Sequence, residues 1–181
     1  MVGVGLLLLL ITQTTFANFS INYARTHLEE GVYLLDAKLD YGLSETVIEA
    51  LHNGISLTLV LTILIERERW YLWNEVVTTL KQRYQLKYYA LSEQYILKSL
   101  NTDIQDTFPS LEVALMALGK LEDLPLLDKH LLQVKENYQV KLQASLEIES
   151  LPLPLRPLAY LSSQWRLNSE WYLCPLLPPP S

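Results

Sequence analysis

The alternation of apolar and polar side chains along residues 56–91 is the feature that most constrains the fold. It predicts two long strands, Ser56–Arg69 and Val76–Leu91, joined by a turn around Tyr71–Asn74. Successive side chains point to opposite faces of a strand, so each run has one apolar face. Odd-numbered positions form that face in the first strand, and even-numbered positions form it in the second.

The same alternation restricts how the two strands pair. Both apolar faces lie on one side of the sheet only if odd-numbered residues of the first strand face even-numbered residues of the second. We expect Leu61 opposite Tyr84 and Leu59 opposite Leu86. A slip by one residue would turn an apolar face to water. The parity of the register, that is, the pairing of odd-numbered with even-numbered residues, is therefore better determined than the exact residue pairs.

Composition favours one packed domain, which we place at residues 18–176. The chain has 181 residues, of which 50% are hydrophobic and 19% charged, with a formal net charge of -6. That balance is typical of a folded domain. An acidic surface argues against nucleic acid as a partner and offers no attraction to anionic lipid.

The first residues have the character of an export signal. Met1–Ala17 contains an uncharged run of leucines, about as long as the apolar part of a signal peptide, and no Asp, Glu, Lys or Arg. The residues Thr15 and Ala17 suit cleavage after Ala17. We therefore predict a periplasmic protein, the alternatives being an uncleaved anchor in the inner membrane or a buried first strand. The proline-rich end, Leu177–Ser181, is expected to be disordered.

The rest of the chain shows a mixture of strand and helix patterns. We predict strands at Ile21–Leu28, Val32–Tyr41, Glu93–Leu100 and Tyr138–Ile148, and helices at Ser44–Asn53 and Ser110–Leu118. Asn101–Thr107 is expected to be a loop, Leu121–Leu132 irregular around Pro125, and Ala159–Leu173 ordered only by packing.

These elements predict a mainly β fold with two short helices. We expect an antiparallel β-sandwich, or a strongly curled sheet, built around the long hairpin. The alternative is an α+β arrangement, in which both helices pack on one face of a single curved antiparallel sheet.

No catalytic or cofactor-binding pattern stands out in the sequence. His27, His52 and His130 have no ligand partner at suitable spacing on their own predicted elements, so we predict no metal site. The single Cys174 excludes an intrachain disulfide and is expected to be a buried thiol. We therefore predict no cofactor and no enzymatic activity, although convergence of a histidine with carboxylates would favour an enzyme.

Two segments are candidates for binding a partner. The first is the turn of the long hairpin, with Arg67, Arg69, Trp70, Tyr71 and Trp73. Aromatic residues with arginine are enriched in binding hot spots, but a solvated strand end is the more ordinary interpretation of these charges.

The second candidate is the proline-rich segment Leu151–Pro157, LPLPLRP. Its alternating prolines favour extended or polyproline-like chain. Pro152, Pro154, Arg156 and Pro157 are therefore expected to form a strap across a sheet edge, and a docking motif is the less favoured alternative.

The chain resembles DUF4390, a family of uncharacterised exported proteobacterial proteins. The residues that carry the resemblance are GVYLLDAKLDYGLSE (Gly31–Glu45), EALHNGISLTL (Glu49–Leu59) and LPLPLRPLAYLSSQWRLNSEW (Leu151–Trp171). The resemblance implies an N-terminal signal, and it implies no activity or catalytic residue.

Three classes of function remain open at this point. The favoured class is a non-enzymatic cell-envelope protein that binds another protein, for example one embedded in the membrane. The second is a carrier or sensor of an apolar ligand or lipid, with a cavity lined by tyrosines and leucines of the hairpin. The third and least favoured is an enzyme of unrecognised type.

Overall fold

The computed structural model describes residues 18–133 and 136–176, which form nine strands and three α-helices. The strands are β1 (Phe19–Glu29), β2 (Val32–Tyr41), β3 (Leu57–Arg67), β4 (Glu75–Tyr89), β5 (Gln94–Ser99), β6 (Gln105–Phe108), β7 (Lys120–Asp128), β8 (Tyr138–Leu146) and β9 (Tyr172–Pro175). The helices are α1 (Glu45–His52), α2 (Leu111–Leu118) and α3 (Arg156–Leu161).

The strands form two antiparallel sheets. One has three strands in the order β1-β2-β7, and the other has six in the order β6-β5-β4-β3-β8-β9. The buried faces of both sheets contribute to one hydrophobic core. The hydroxyl of Thr26 in β1 donates a 2.9 Å hydrogen bond to the carbonyl of Pro175 in β9, which links the two sheets. The predicted mainly β, antiparallel fold is confirmed, with one more helix than expected.

The long hairpin is formed by β3 and β4 at the centre of the larger sheet. Its parity is as predicted, because Leu59 pairs with Tyr84 and Leu57 with Leu86. The expected pairs are displaced by two residues, and a bulge between Ile65 and Glu66 shifts the register again near the turn. A displacement by two keeps every side chain on its face, so hydrophobic alternation cannot detect it.

Both predicted helices are present, and each begins after a serine. The hydroxyl of Ser44 accepts a hydrogen bond from the Val47 N–H, and the hydroxyl of Ser110 accepts one from the Val113 N–H. These bonds satisfy backbone donors that a first helical turn leaves without partners. Gly54 follows α1 with a φ of +86°, the left-handed conformation expected there.

The prediction that Leu121–Leu132 is irregular is wrong, since β7 spans most of it. Pro125 is tolerated because β7 is an edge strand and the β2–β7 register shifts beside it. The loop expected at Asn101–Thr107 contains the start of β6, and β9 was not predicted.

The extended conformation expected of the proline-rich segment is also wrong. The chain turns at residues 153–155 and then enters α3, with Pro157 in the first helical turn. Proline fits there because the first N–H groups of a helix have no intrahelical acceptor. The sequence correctly excluded proline from a helix interior, but it did not predict that a helix begins at this point.

The predicted signal, Met1–Ala17, and the predicted tail, Leu177–Ser181, lie outside the described residues. Within 18–133 and 136–176, no helix has the length and apolar character needed to cross a membrane.

Candidate functional site

The connection between β3 and β4 exposes four consecutive large apolar side chains, Trp70, Tyr71, Leu72 and Trp73. We call residues 68–74 the hairpin tip. The exposed fractions are 94% for Trp70, 63% for Tyr71, 55% for Leu72 and 89% for Trp73. The rings of Trp70 and Tyr71 meet edge to face at 5.1 Å between centroids. None of the four contributes to the hydrophobic core, so core packing does not account for them.

The two arginines at the base of the tip are held by one carboxylate. Arg67 and Arg69 both donate hydrogen bonds to Glu75, the first residue of β4. The hydrogen bond from Arg67 is the main reason that the pKa of Glu75 lies below its ordinary value. Arg67 also donates a 3.0 Å bond to the side chain of Gln133. Both arginines lie at the base of the tip, and the sequence analysis did not predict Glu75 as their shared partner.

The glutamate next to Arg67 makes a different set of contacts. Glu66 is 6% exposed, accepts a 2.9 Å hydrogen bond from Gln139 and lies 3.5 Å from the Lys141 ammonium. The Asn74 amide donates a longer bond, 3.4 Å, to the same carboxylate. Arg67, Arg69 and Glu66 are thus paired within the chain. Glu68 is exposed beside them, and the four residues 70–73 at the end of the tip are apolar or aromatic.

The proline-rich segment contributes a second exposed apolar surface. Leu153, Leu158 and Leu161 are 73%, 64% and 83% exposed. Arg156, predicted as a strap or docking residue, donates a 2.8 Å hydrogen bond to the Leu151 carbonyl and helps to close the turn before α3. Pro152, Pro154 and Pro157 are exposed beside it.

An open groove of about 410 Å³ lies between α1 and the segment that leads into α3. Its lining is mainly apolar and consists of Thr46, Glu49, Ala50, Asn53, Ile55, Leu155, Leu158 and Trp165. Leu57, Leu59 and Leu61 on the apolar face of β3, which was expected to line a ligand cavity, are instead buried in the core. Tyr84 of β4 borders a separate cleft of about 250 Å³ beside α2 and β7.

Two of the histidines and the cysteine have ordinary structural surroundings. His52 ends α1, and its Nε2 lies 2.6 Å from the hydroxyl of Tyr95. His130 is exposed in a short 3₁₀ turn. Cys174 is buried, as predicted, and burial raises the pKa of its thiol to about 11. A thiol with so high a pKa is a poor nucleophile at neutral pH.

His27 differs from the other histidines because carboxylates surround it. Its Nε2 lies 3.3 Å from Asp123 and its Nδ1 lies 3.7 Å from Asp36. Glu29 belongs to the same cluster. The sequence prediction missed it because the predicted strand ended at Leu28, whereas β1 continues to Glu29, which shares the face of His27. Asp36 lies on β2, which pairs with β1, and Asp123 lies on β7 at the other side of β2, so only the folded sheet brings both carboxylates to His27.

Comparison with known proteins identifies the family. A family model described as a domain of unknown function, DUF4390, matches residues 17–175, so the chain belongs to that family. Neither the comparison with curated proteins nor the comparison with solved structures returned a match.

Proposed function

We propose that this DUF4390 protein is a non-enzymatic binding protein that inserts its hairpin tip into an apolar groove of a partner protein. The exposure of Trp70, Tyr71, Leu72 and Trp73 in one continuous stretch carries the proposal. Single exposed apolar residues are common, but a contiguous patch of large ones is typical of an interaction site. Tryptophan and tyrosine also contribute strongly to binding free energy when a partner buries them.

The charge distribution favours an apolar recognition surface. Arg67 and Arg69 are paired with Glu75, while Glu66 is paired with Lys141. These residues would form the polar rim of the interface and the aromatic side chains its centre, the usual arrangement at protein interfaces. Pairing within the chain also means that no unpaired charge has to be desolvated at the centre on binding.

We place the protein in the periplasm on the strength of the uncharged, leucine-rich Met1–Ala17. If that segment is not cleaved, it would anchor the protein at the inner membrane. In either case the partner is a protein of the cell envelope, for example one embedded in the membrane.

The groove between α1 and α3 supports a second candidate, the binding of an apolar ligand. Its volume lies within the range of small-molecule sites, and its lining is mainly apolar. It is open to solvent, however, and such sites usually enclose most of their ligand. The tip therefore supports protein binding more strongly than the groove supports ligand binding.

The proposal is tested by removing the aromatic side chains of the tip. The double variant Trp70→Ala with Trp73→Ala is used to capture proteins from solubilised cell envelopes, and their abundances are compared with those captured by the wild type. A matched control, Tyr89→Ala with Leu91→Ala, removes exposed apolar side chains at the β4–β5 turn.

We expect the tip variant to capture at least about tenfold less of a specific partner protein than the wild type does, since buried aromatic anchors contribute about 2 kcal/mol or more each to binding. The control should retain it. Equal capture by the tip variant and the wild type would contradict the proposal, as would tip-dependent binding to protein-free lipid vesicles with no protein partner.

A further inference from the structure

The side chains around His27 are arranged as metal ligands on the exposed face of the three-stranded sheet. His27 and Glu29 lie two residues apart on β1, and Asp123 lies on β7. One potential ligand atom from each residue lies within 4.8 Å of the others. Imidazole nitrogen and carboxylate oxygen are both zinc ligands, and zinc sites with three protein ligands keep a fourth position for water.

The distance between His27 and Asp123 is compatible with both residues binding the same ion. The Nε2 of His27 lies 3.3 Å from Oδ1 of Asp123, longer than a normal hydrogen bond. Two ligands at about 2.0–2.1 Å from one zinc ion, at the tetrahedral angle, lie about 3.3 Å apart. Both atoms can therefore bind the same ion with little movement.

A buried carboxylate stands behind the histidine. Asp36, on the central strand β2, is 7% exposed, and its Oδ2 lies 3.7 Å from Nδ1 of His27. Arg25 donates a 3.0 Å hydrogen bond to the same oxygen, and the Asp123 backbone N–H donates one to Oδ1. The bond from Asp123 is the largest cause of the lowered pKa of Asp36.

This position of Asp36 matters because ligating histidines commonly direct their second ring nitrogen at a carboxylate. Such a partner fixes the orientation of the ring and leaves the other nitrogen for the metal. In this chain Nδ1 faces the carboxylate of Asp36, and Nε2 faces Asp123.

The backbone of β7 is irregular at Asp123, the residue that β7 contributes to the cluster. Leu35 pairs with Leu124 and Ala37 with Leu121, so a bulge in β7 lies opposite Asp36. Asp123 has a φ of +51°, and its N–H donates a hydrogen bond to the Asp36 carboxylate. Bulges frequently redirect a side chain beside a functional site.

We propose that His27, Glu29 and Asp123 bind one zinc ion, with Asp36 orienting the His27 ring. The cluster and its ion-pair partners together comprise three carboxylates and one guanidinium, that of Arg25, and this excess of negative charge favours a cation. The competing arrangement is a simple ion pair, in which a protonated His27 neutralises Asp36 and Asp123 without any metal. The zinc proposal is independent of the hairpin tip.

Isothermal titration of the purified, untagged protein with Zn²⁺ at about pH 7.5 tests the proposal. We expect one ion per chain. His27→Ala and Asp123→Asn should each weaken binding at least about tenfold, and Asp36→Asn should weaken it about 10–100-fold. His130→Ala removes an exposed histidine from a neighbouring turn and should leave the affinity unchanged.

Circular dichroism shows whether each variant is folded. Because Asp123 is exposed, we expect Asp123→Asn to leave the fold intact. Mg²⁺ should bind much more weakly than Zn²⁺, because it prefers oxygen ligands alone. The proposal is overturned if folded wild-type protein takes up no zinc at about 100 µM. It is equally overturned if zinc binding survives both His27→Ala and Asp123→Asn, which would leave the ion pair as the role of the cluster.

Discussion

Gly54 and Gly119 each follow a helix, but for different physical reasons. Gly54 has a φ of +86° and no atom within 4 Å of the position where a Cβ would stand. Gly119 has an ordinary φ of -75°, yet a Cβ there would lie 2.1 Å from the Leu39 carbonyl oxygen. The Gly119 carbonyl also accepts a 2.8 Å hydrogen bond from the Leu39 N–H. Gly119 is thus needed where α2 approaches β2.

Substituting alanine should separate these two roles. Gly119→Ala places a carbon against backbone atoms that cannot move cheaply, so we expect the free energy of unfolding to fall by about 3 kcal/mol. Gly54→Ala introduces only left-handed strain, about 1 kcal/mol. Urea denaturation of both variants measures the difference. Equal losses, or a larger loss for Gly54→Ala, would contradict the close approach of α2 to β2.

For individual residues, the sequence predicts contacts within a helix or strand and misses contacts between different elements. The helices were correctly predicted to begin at Ser44 and Ser110, because each serine hydroxyl accepts a hydrogen bond from the N–H only three residues later. The partners of His27 could not be predicted in the same way. Asp36 lies on the next strand, and its approach to His27 depends on the exact β1–β2 register. Asp123 is distant in sequence, and a β-bulge in an edge strand leaves no clear signal in hydrophobic alternation.

Among the elements, the β3–β4 hairpin was the best predicted, although some of its features could not be predicted from the sequence. Alternation correctly predicted the core face of β3, where Leu59, Leu61 and Ile63 lie, but it did not predict that Thr58 and Val60 on the opposite face are buried as well. It could not determine the bulge at Glu66. The presence of an exposed aromatic turn was also predictable, whereas the pairing of both arginines with Glu75 depends on that bulge and on the turn length.

The pairing with Glu75 should order the hairpin tip. Glu75→Gln removes the negative charge that holds Arg67 and Arg69, so the amides of residues 68–74 should exchange hydrogen faster. The melting temperature should be almost unchanged, because exposed ion pairs contribute little to stability. Asp103→Asn is the matched control, since it breaks the exposed pair with Lys98 at a different loop. Unchanged exchange in the tip would show that Glu75 does not order it.

The whole molecule consists of a two-sheet hydrophobic core and a hairpin tip that lies outside that core. Two antiparallel sheets bury their apolar faces together, which accounts for the long alternating strands of the sequence. The hairpin tip has no part in that core. The architecture of β-rich sheets was predictable because it follows from alternation, but the division into three and six strands was not. That division depends on β7 and β9, whose proline and aromatic residues obscured the strand pattern.

Site-specific photo-crosslinking in intact cells tests most directly whether the tip is a docking site. A photoreactive amino acid replaces Tyr71 at the tip, and in a matched variant it replaces Leu91, which is 90% exposed in the β4–β5 turn. We predict one discrete protein adduct from position 71 that is absent from position 91. The same adduct from both positions, adducts to lipid alone, or no adduct from position 71 would contradict a protein-docking tip.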